Sequence, residues 1–196
     1  YHPEGCPPSS LITINFDATK KNNTPMTMTW MDGGIRPPHP DIIPPNADIG
    51  GPGSLNGVLM IGDKGIISTN INDSSPLTPK LYLYNGETEF GPETEKMDEP
   101  EYGHQRKWVD ACKAGFNSKE HKQLTSSFDY AGPMTETVLM GNLAIRSYML
   151  RKENNKGSLE FFARKKLLWD GEGMKITNLD EANQFVSRNY RDGWTV

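Results

Sequence analysis

Trp30-Met31-Asp32-Gly33 is the group of residues with the clearest chemical potential in this sequence. Met26, Met28 and Trp30 alternate with Thr27 and Thr29, which predicts a strand. That strand ends in an aromatic, an acid and the glycines Gly33 and Gly34, just before a long loop. Indole faces stack on sugar rings, and carboxylates accept hydrogen bonds from hydroxyls. This is the chemistry of a polyol or sugar pocket. The structural alternative is a tryptophan buried in the core beside an aspartate that holds a turn. The sequence has 4 histidines, and no two have the spacing of metal ligands. His39 sits in the proline-rich loop and His104 opens a helix. Each is either a neighbour of the sugar site or a structural or solvated imidazole. His2 and His121 read as exposed.

The sequence carries none of the other familiar catalytic or cofactor-binding motifs. A dinucleotide fold needs G-x-G-x-x-G between a strand and a helix. The nearest match, Gly51-Pro52-Gly53, follows no strand, opens no helix and carries a proline in the turn. There is no phosphate-binding P-loop and no G-x-S-x-G elbow. Cys6 and Cys112 belong to no C-x-x-C pair, which argues against zinc. Cys112 falls on the apolar side of a predicted helix and reads as a buried thiol. Cys6 lies among prolines, with no base identifiable beside it. Carboxylates are plentiful, but a glycosidase pair is defined by separation in space. Asn22-Asn23-Thr24 and Asn72-Asp73-Ser74 fit the glycosylation pattern, which is too short to carry weight. The net charge of -4 gives no electrostatic reason for DNA, RNA or an anionic membrane as partner. No apolar run approaches the roughly 20 residues of a membrane helix.

The elements that must position these residues follow from periodicity. Leu11 to Phe16 predicts a strand with Ile12, Ile14 and Phe16 on one face, paired as a hairpin with the Met26–Trp30 strand. Asp32 to Gly57 is dominated by proline and glycine and can be neither helix nor central strand. It is either a functional loop or an irregular surface excursion. Val58 to Ile61 and Ile66 to Ser68 flank Gly62-Asp63-Lys64-Gly65, a tight hairpin. Leu81 to Tyr84 is another strand, and Glu87 to Glu101 a solvated loop. His104 to Ala114 predicts a helix stopped by Gly115. Pro133 to about Leu150 predicts the longest helix, largely buried, with Pro133 in its first turn. Its Gly141 and Ala144 admit a close neighbour. Leu159–Phe162 and Leu167–Trp169 are short strands. Asn178 and Glu181 form a reciprocal cap that opens a helix to about Tyr190. Strands first, helices later and no regular βαβ alternation argue for an α+β fold, an open, mainly antiparallel sheet with helices on one face. A chain of 196 residues, 35% apolar and 23% charged, suits one soluble domain with a long excursion. It starts at Tyr1 without an initiator methionine, as a processed protein or a piece of a longer one does.

Several segments together resemble the second domain of bacterial Gfo/Idh/MocA oxidoreductases, above all the group abundant in Bacteroidetes and Planctomycetes. They are Pro7-Pro8-Ser9-Ser10 before a strand, Thr29-Trp30-Met31-Asp32-Gly33-Gly34 and Gly57-Val58-Leu59-Met60-Ile61-Gly62-Asp63-Lys64-Gly65. Further on come His104 with Trp108-Val109-Asp110-Ala111-Cys112-Lys113, then Phe128-Asp129-Tyr130-Ala131-Gly132-Pro133 with Thr135-Glu136 and Gly141-Asn142. Leu168-Trp169-Asp170, Asn178, Glu181-Ala182-Asn183, Tyr190-Arg191 and Gly193-Trp194 complete the set. Their order covers nearly the whole chain.

The resemblance implies the substrate-binding and oligomerisation part of an enzyme whose first domain, a Rossmann fold, carries NAD or NADP. It implies a sugar, cyclitol or derivative as substrate and a homo-oligomer built through the sheet. Such enzymes use a lysine from Glu-Lys-Pro and a histidine from Asp-x-x-x-His. Neither motif occurs here, so no catalytic and no cofactor-binding residue is carried over, and this piece alone is expected neither to bind the dinucleotide nor to catalyse. Trp30, Asp32, His39 and His104 stand as candidate substrate-binding residues. A fragment of an NAD-dependent glycosidase of the same superfamily, and a non-catalytic carbohydrate-binding or assembly module, are the alternatives. The compartment stays open between bacterial cytoplasm and periplasm.

Overall fold

A computed structural model describes residues 5–47, 49, 56–70, 79–91, 102–188 and 190–194. The fold is α+β, and the strands among the described residues form four open antiparallel sheets. The chain divides into two compact units, one formed by Tyr1–Gly33 and Asp110–Val196, the other by Gly34–Val109.

In the first unit, β1 (Leu11–Phe16) and β2 (Met26–Met31) form the expected hairpin, with Ile12 opposite Trp30 and Phe16 opposite Met26. Ile12, Ile14 and Phe16 are the more buried residues of β1, as their alternation requires.

The second unit holds a four-stranded sheet in sequence order: β3 (Gly57–Ile61), β4 (Gly65–Asn70), β5 (Lys80–Leu83) and β6 (Thr88–Phe90). The β3–β4 turn closes where the Gly62 amide donates to the Gly65 carbonyl at 3.0 Å. Gly65 is required by space, because a side chain there would strike the Tyr82 backbone. Ile66 and Tyr82 face each other across β4 and β5 and are buried with Ile43.

Ile43 comes from the proline-rich segment and is only 2% exposed. Two turns flank it, with the Ile43 amide donating to Pro40 and the Ala47 amide to Pro44. Ile42 and Ala47 pack against the same core. This part of the predicted loop therefore covers one face of its own sheet. On the other face Val58, Met60 and Ile67 remain exposed.

α1 (Gly103–Ala114) matches the predicted helix and stops at Gly115, whose φ of 92° suits the helix terminus. Cys112 is exposed, contrary to the expected buried thiol; the buried residues of α1 are Gly103 and Ala111. His121, on the short α2 (Lys119–Lys122), is partly buried rather than exposed, its ring centroid 4.9 Å from that of Phe116.

α3 (Phe128–Tyr148) begins five residues before the predicted Pro133. Ser127 explains the early start: its carbonyl accepts from the amides of Tyr130 and Ala131, nucleating a turn ahead of the proline. Asp129 in that turn complements the helix dipole. The expected burial of α3 fails. Only Gly141 and Ser147 are buried, and Val138 is 66% exposed. Gly141 does admit a close neighbour, since a side-chain carbon there would lie 3.1 Å from Ile12 Cδ1.

The first unit ends in two short sheets, β7 (Arg151–Glu153) with β8 (Leu159–Phe161), and β9 (Trp169–Asp170) with β10 (Lys175–Ile176). Ala163, Ile176, Leu179 and Ala182 form the core here. Strands of two residues leave much backbone unpaired, and carboxamides take over. The Asn183 side chain accepts from the Ile176 amide at 2.7 Å and donates to the Ile176 carbonyl at 2.9 Å. Asn178 likewise accepts from the Leu168 amide and donates to the Lys166 carbonyl. Both polar ends of Asn178 are therefore occupied, and it caps no helix. The predicted helix to Tyr190 is instead a 3-10 helix, Asp180–Phe185, with Leu179 at its N-cap. The Trp169 indole donates to Glu136 Oε1 at 2.7 Å, tying β9 to α3.

His2, Gly51-Pro52-Gly53, Asn72-Asp73-Ser74 and most of the Glu87–Glu101 segment lie outside the described residues.

Candidate functional site

Asp32 organises the end of the β1–β2 hairpin. The ladder runs one step past β2, where the Asp32 amide donates to the Ser10 carbonyl at 3.1 Å. In return the Ser10 amide donates to Asp32 Oδ1 at 2.6 Å, and the Ser10 hydroxyl to Oδ2 at 2.8 Å. The Trp30 indole N–H donates to the same Oδ2 at 2.9 Å. The Trp30 and Ser10 side-chain hydrogen bonds, in that order, hold the Asp32 carboxyl below its usual value. Partial desolvation opposes them, and the Ser10 amide adds to the lowering. Gly33 follows with φ 63°, and a side chain there would collide with the Pro8 and Ser9 backbone. The Asp-Gly-Gly sequence is thus a turn that only glycine can close so tightly.

Trp30 is 59% exposed, which excludes burial in the core. Its cross-strand partner Ile12, on the same face of the hairpin, reaches α3 at Gly141. The hydrogen bond to Asp32 fixes the indole edge and leaves more than half of the residue's surface exposed. Asp32 itself follows the structural reading, with both oxygens engaged by protein donors. The arrangement can stack a ring; it holds no free base.

The structure brings Trp30 and Asp32 together in the first unit. His39 and His104 belong to the second unit. A ring nitrogen of His39 lies 3.0 Å from the Ala47 carbonyl, closing the segment that carries Ile43. His104 is exposed in the first turn of α1. Ser10 was missed from sequence. Its signal is weak: a hydroxyl just before one strand of a hairpin and an acid just after the other.

Among the described residues no three His, Cys, Asp or Glu side chains gather as a metal site. No described helix is long and apolar enough to cross a membrane. Every strand pair among the described residues is antiparallel. No protein-family model matches this chain, and no curated protein matches its sequence.

Proposed function

We propose that this chain is the substrate-side domain of a Gfo/Idh/MocA-type NAD(P)-dependent oxidoreductase acting on a sugar, cyclitol or derivative. The carrying observation is the exposed Trp30 indole, fixed by Asp32 at the end of β2. A rigid aromatic plane of this kind stacks on the apolar face of a sugar ring with little loss of side-chain entropy. NAD or NADP is the business of a separate cofactor-binding domain, and this domain supplies binding surface rather than catalytic groups. The open face of the second unit's sheet, with Val58, Met60 and Ile67, supports self-association.

The test is ligand binding followed through tryptophan fluorescence. Neutral sugars and cyclitols are titrated into the chain and into Trp30→Ala, and NAD and NADP into the chain. Sugar binding lost in Trp30→Ala, with no dinucleotide complex, supports the reading. Tight dinucleotide binding, or sugar binding that ignores Trp30, overturns it. A second reading, a carbohydrate-binding module without redox chemistry, is favoured by the full engagement of the Asp32 carboxylate. Joining the chain to a dinucleotide-binding domain from its own gene distinguishes the two, since only the first gives sugar-dependent NAD(P) reduction.

A further inference from the structure

The β7–β8 hairpin and the segment after it form a basic stretch in an acidic chain. Between Arg151 and Lys166 stand six cations, Arg151, Lys152, Lys156, Arg164, Lys165 and Lys166, against Glu153 and Glu160, while the whole chain carries -4. Among the described residues none of the six is joined to a carboxylate by an ion pair. Aromatic faces hold several of them instead. The guanidinium groups of Arg151, at 4.2 Å, and Arg164, at 3.5 Å, both lie over the Phe161 ring, and Arg164 also rests on Tyr148 at 4.6 Å. The Lys152 ammonium sits 5.3 Å from the Phe162 ring centroid. A cation–π contact orients a cation without neutralising it, so the positive field remains.

Beside this stretch lies a cavity of about 510 Å³. The hairpin side contributes Lys152, Phe162 and Lys165, and the start of the 3-10 helix contributes Asp180 and Glu181. Lysines and carboxylates share the cavity, yet no ion pair closes across it. The Asn178 side chain, also in the wall, is consumed by backbone partners, and the Thr177 hydroxyl donates to the Leu168 carbonyl. Two cations and two carboxylates therefore line a common, open space, and the Phe162 ring there carries the Lys152 ammonium and packs on the core.

We propose that this cavity binds a small anionic carbohydrate, a sugar acid or a sugar phosphate. Lys152 and Lys165 take the anionic group. Asp180 and Glu181 accept hydrogen bonds from ring hydroxyls. The volume lies within the roughly 300–1,000 Å³ of small-ligand pockets. The site shares no residue with the Trp30 surface and stands whether or not that surface binds sugar.

Isothermal calorimetry on the full chain tests it, with glucuronate, glucose 6-phosphate, glucose and inorganic phosphate as ligands. At least one anionic sugar is expected to bind about 10-fold or more tightly than both glucose and inorganic phosphate. Which one does so distinguishes carboxylate from phosphate. The double variant Lys152→Gln with Lys165→Gln is expected to lose about 10-fold or more in affinity, whereas Lys165→Arg and Trp30→Ala keep it. Both lysines are exposed, so the variants fold, and an unchanged thermal melt verifies this. Equal binding of glucose and its charged derivatives overturns the proposal. So does phosphate binding as tightly as the sugar phosphate, unchanged affinity in the double variant, or no heat with any ligand.

Discussion

The two units close their cores by different means. In Gly34–Val109 the strands run for three to six residues, and backbone ladders satisfy most of their polar groups. Ile43 then drops onto the finished sheet from a segment with no regular structure. In the other unit the core around Ile176 is framed by strands of two or three residues. Ladders that short cannot satisfy their own backbone, and Asn178 and Asn183 finish the task with side chains. A long ladder spreads its hydrogen bonds over many replaceable residues. A stitched core concentrates them in a few amides, so single substitutions weigh more there.

The largest effect should come from emptying the stitched core. Ile176→Ala is expected to cost about 3–4 kcal/mol in urea melts, because the residue is 1% exposed and its neighbours are tied in place. Ile43→Ala should cost about 2–3 kcal/mol, since its segment can settle onto the sheet. A cost under about 0.5 kcal/mol at Ile43 would mean that the proline-rich segment is not anchored.

Next comes the amide stitch. Asn183→Ala should cost about 2 kcal/mol by stranding the Ile176 amide and carbonyl. Thr88→Ala on β6, an exposed position in a ladder, should stay within about 0.5 kcal/mol. Equal costs would erase the contrast between the units.

A smaller effect depends on pH. The Asp32 carboxyl is held below 3.8 in the folded chain, so its contribution is present above that value and lost as pH falls through the lower folded value. Thermal melts of the native chain and Asp32→Asn should therefore differ most near neutral pH and converge in acid. A constant difference across that range would show that the carboxylate is not held by Trp30 and Ser10. The smallest effect on stability belongs to Trp30→Ala, expected within about 0.5 kcal/mol because the side chain is mostly exposed. A larger loss would make Trp30 a packing residue rather than a presented surface.

Much of the candidate site was legible before any fold. The strand ending in Trp30, the following acid and the two glycines all follow from alternation and turn chemistry within nine residues, Met26 to Gly34. The grouping of His39 and His104 with Trp30 rested on no such local rule, and their placement in another unit carries no support for it. The cavity beside β7 and β8 was missed because its walls are separate in sequence and each reads as an ordinary charged surface.

By itself the sequence determined β1 through β5 and α1, to within a residue or two at their ends. Alternation with period two, a glycine turn between apolar runs and a glycine after a helix are local rules, and the chain obeys them wherever neighbours do not compete. Tertiary structure alone decided the rest. Ser10 becomes the partner of Asp32 only when residues 22 apart are brought side by side in the hairpin. Asn178 looks like a helix cap until Leu168 and Lys166 arrive to claim both ends of its amide. The apolar circumference of α3 implied burial, but burial needs surface to pack against, and only the stretches near Gly141 and Ser147 find it. Each of these outcomes depends on which distant group reaches a side chain first, and periodicity along one stretch of chain carries no record of that.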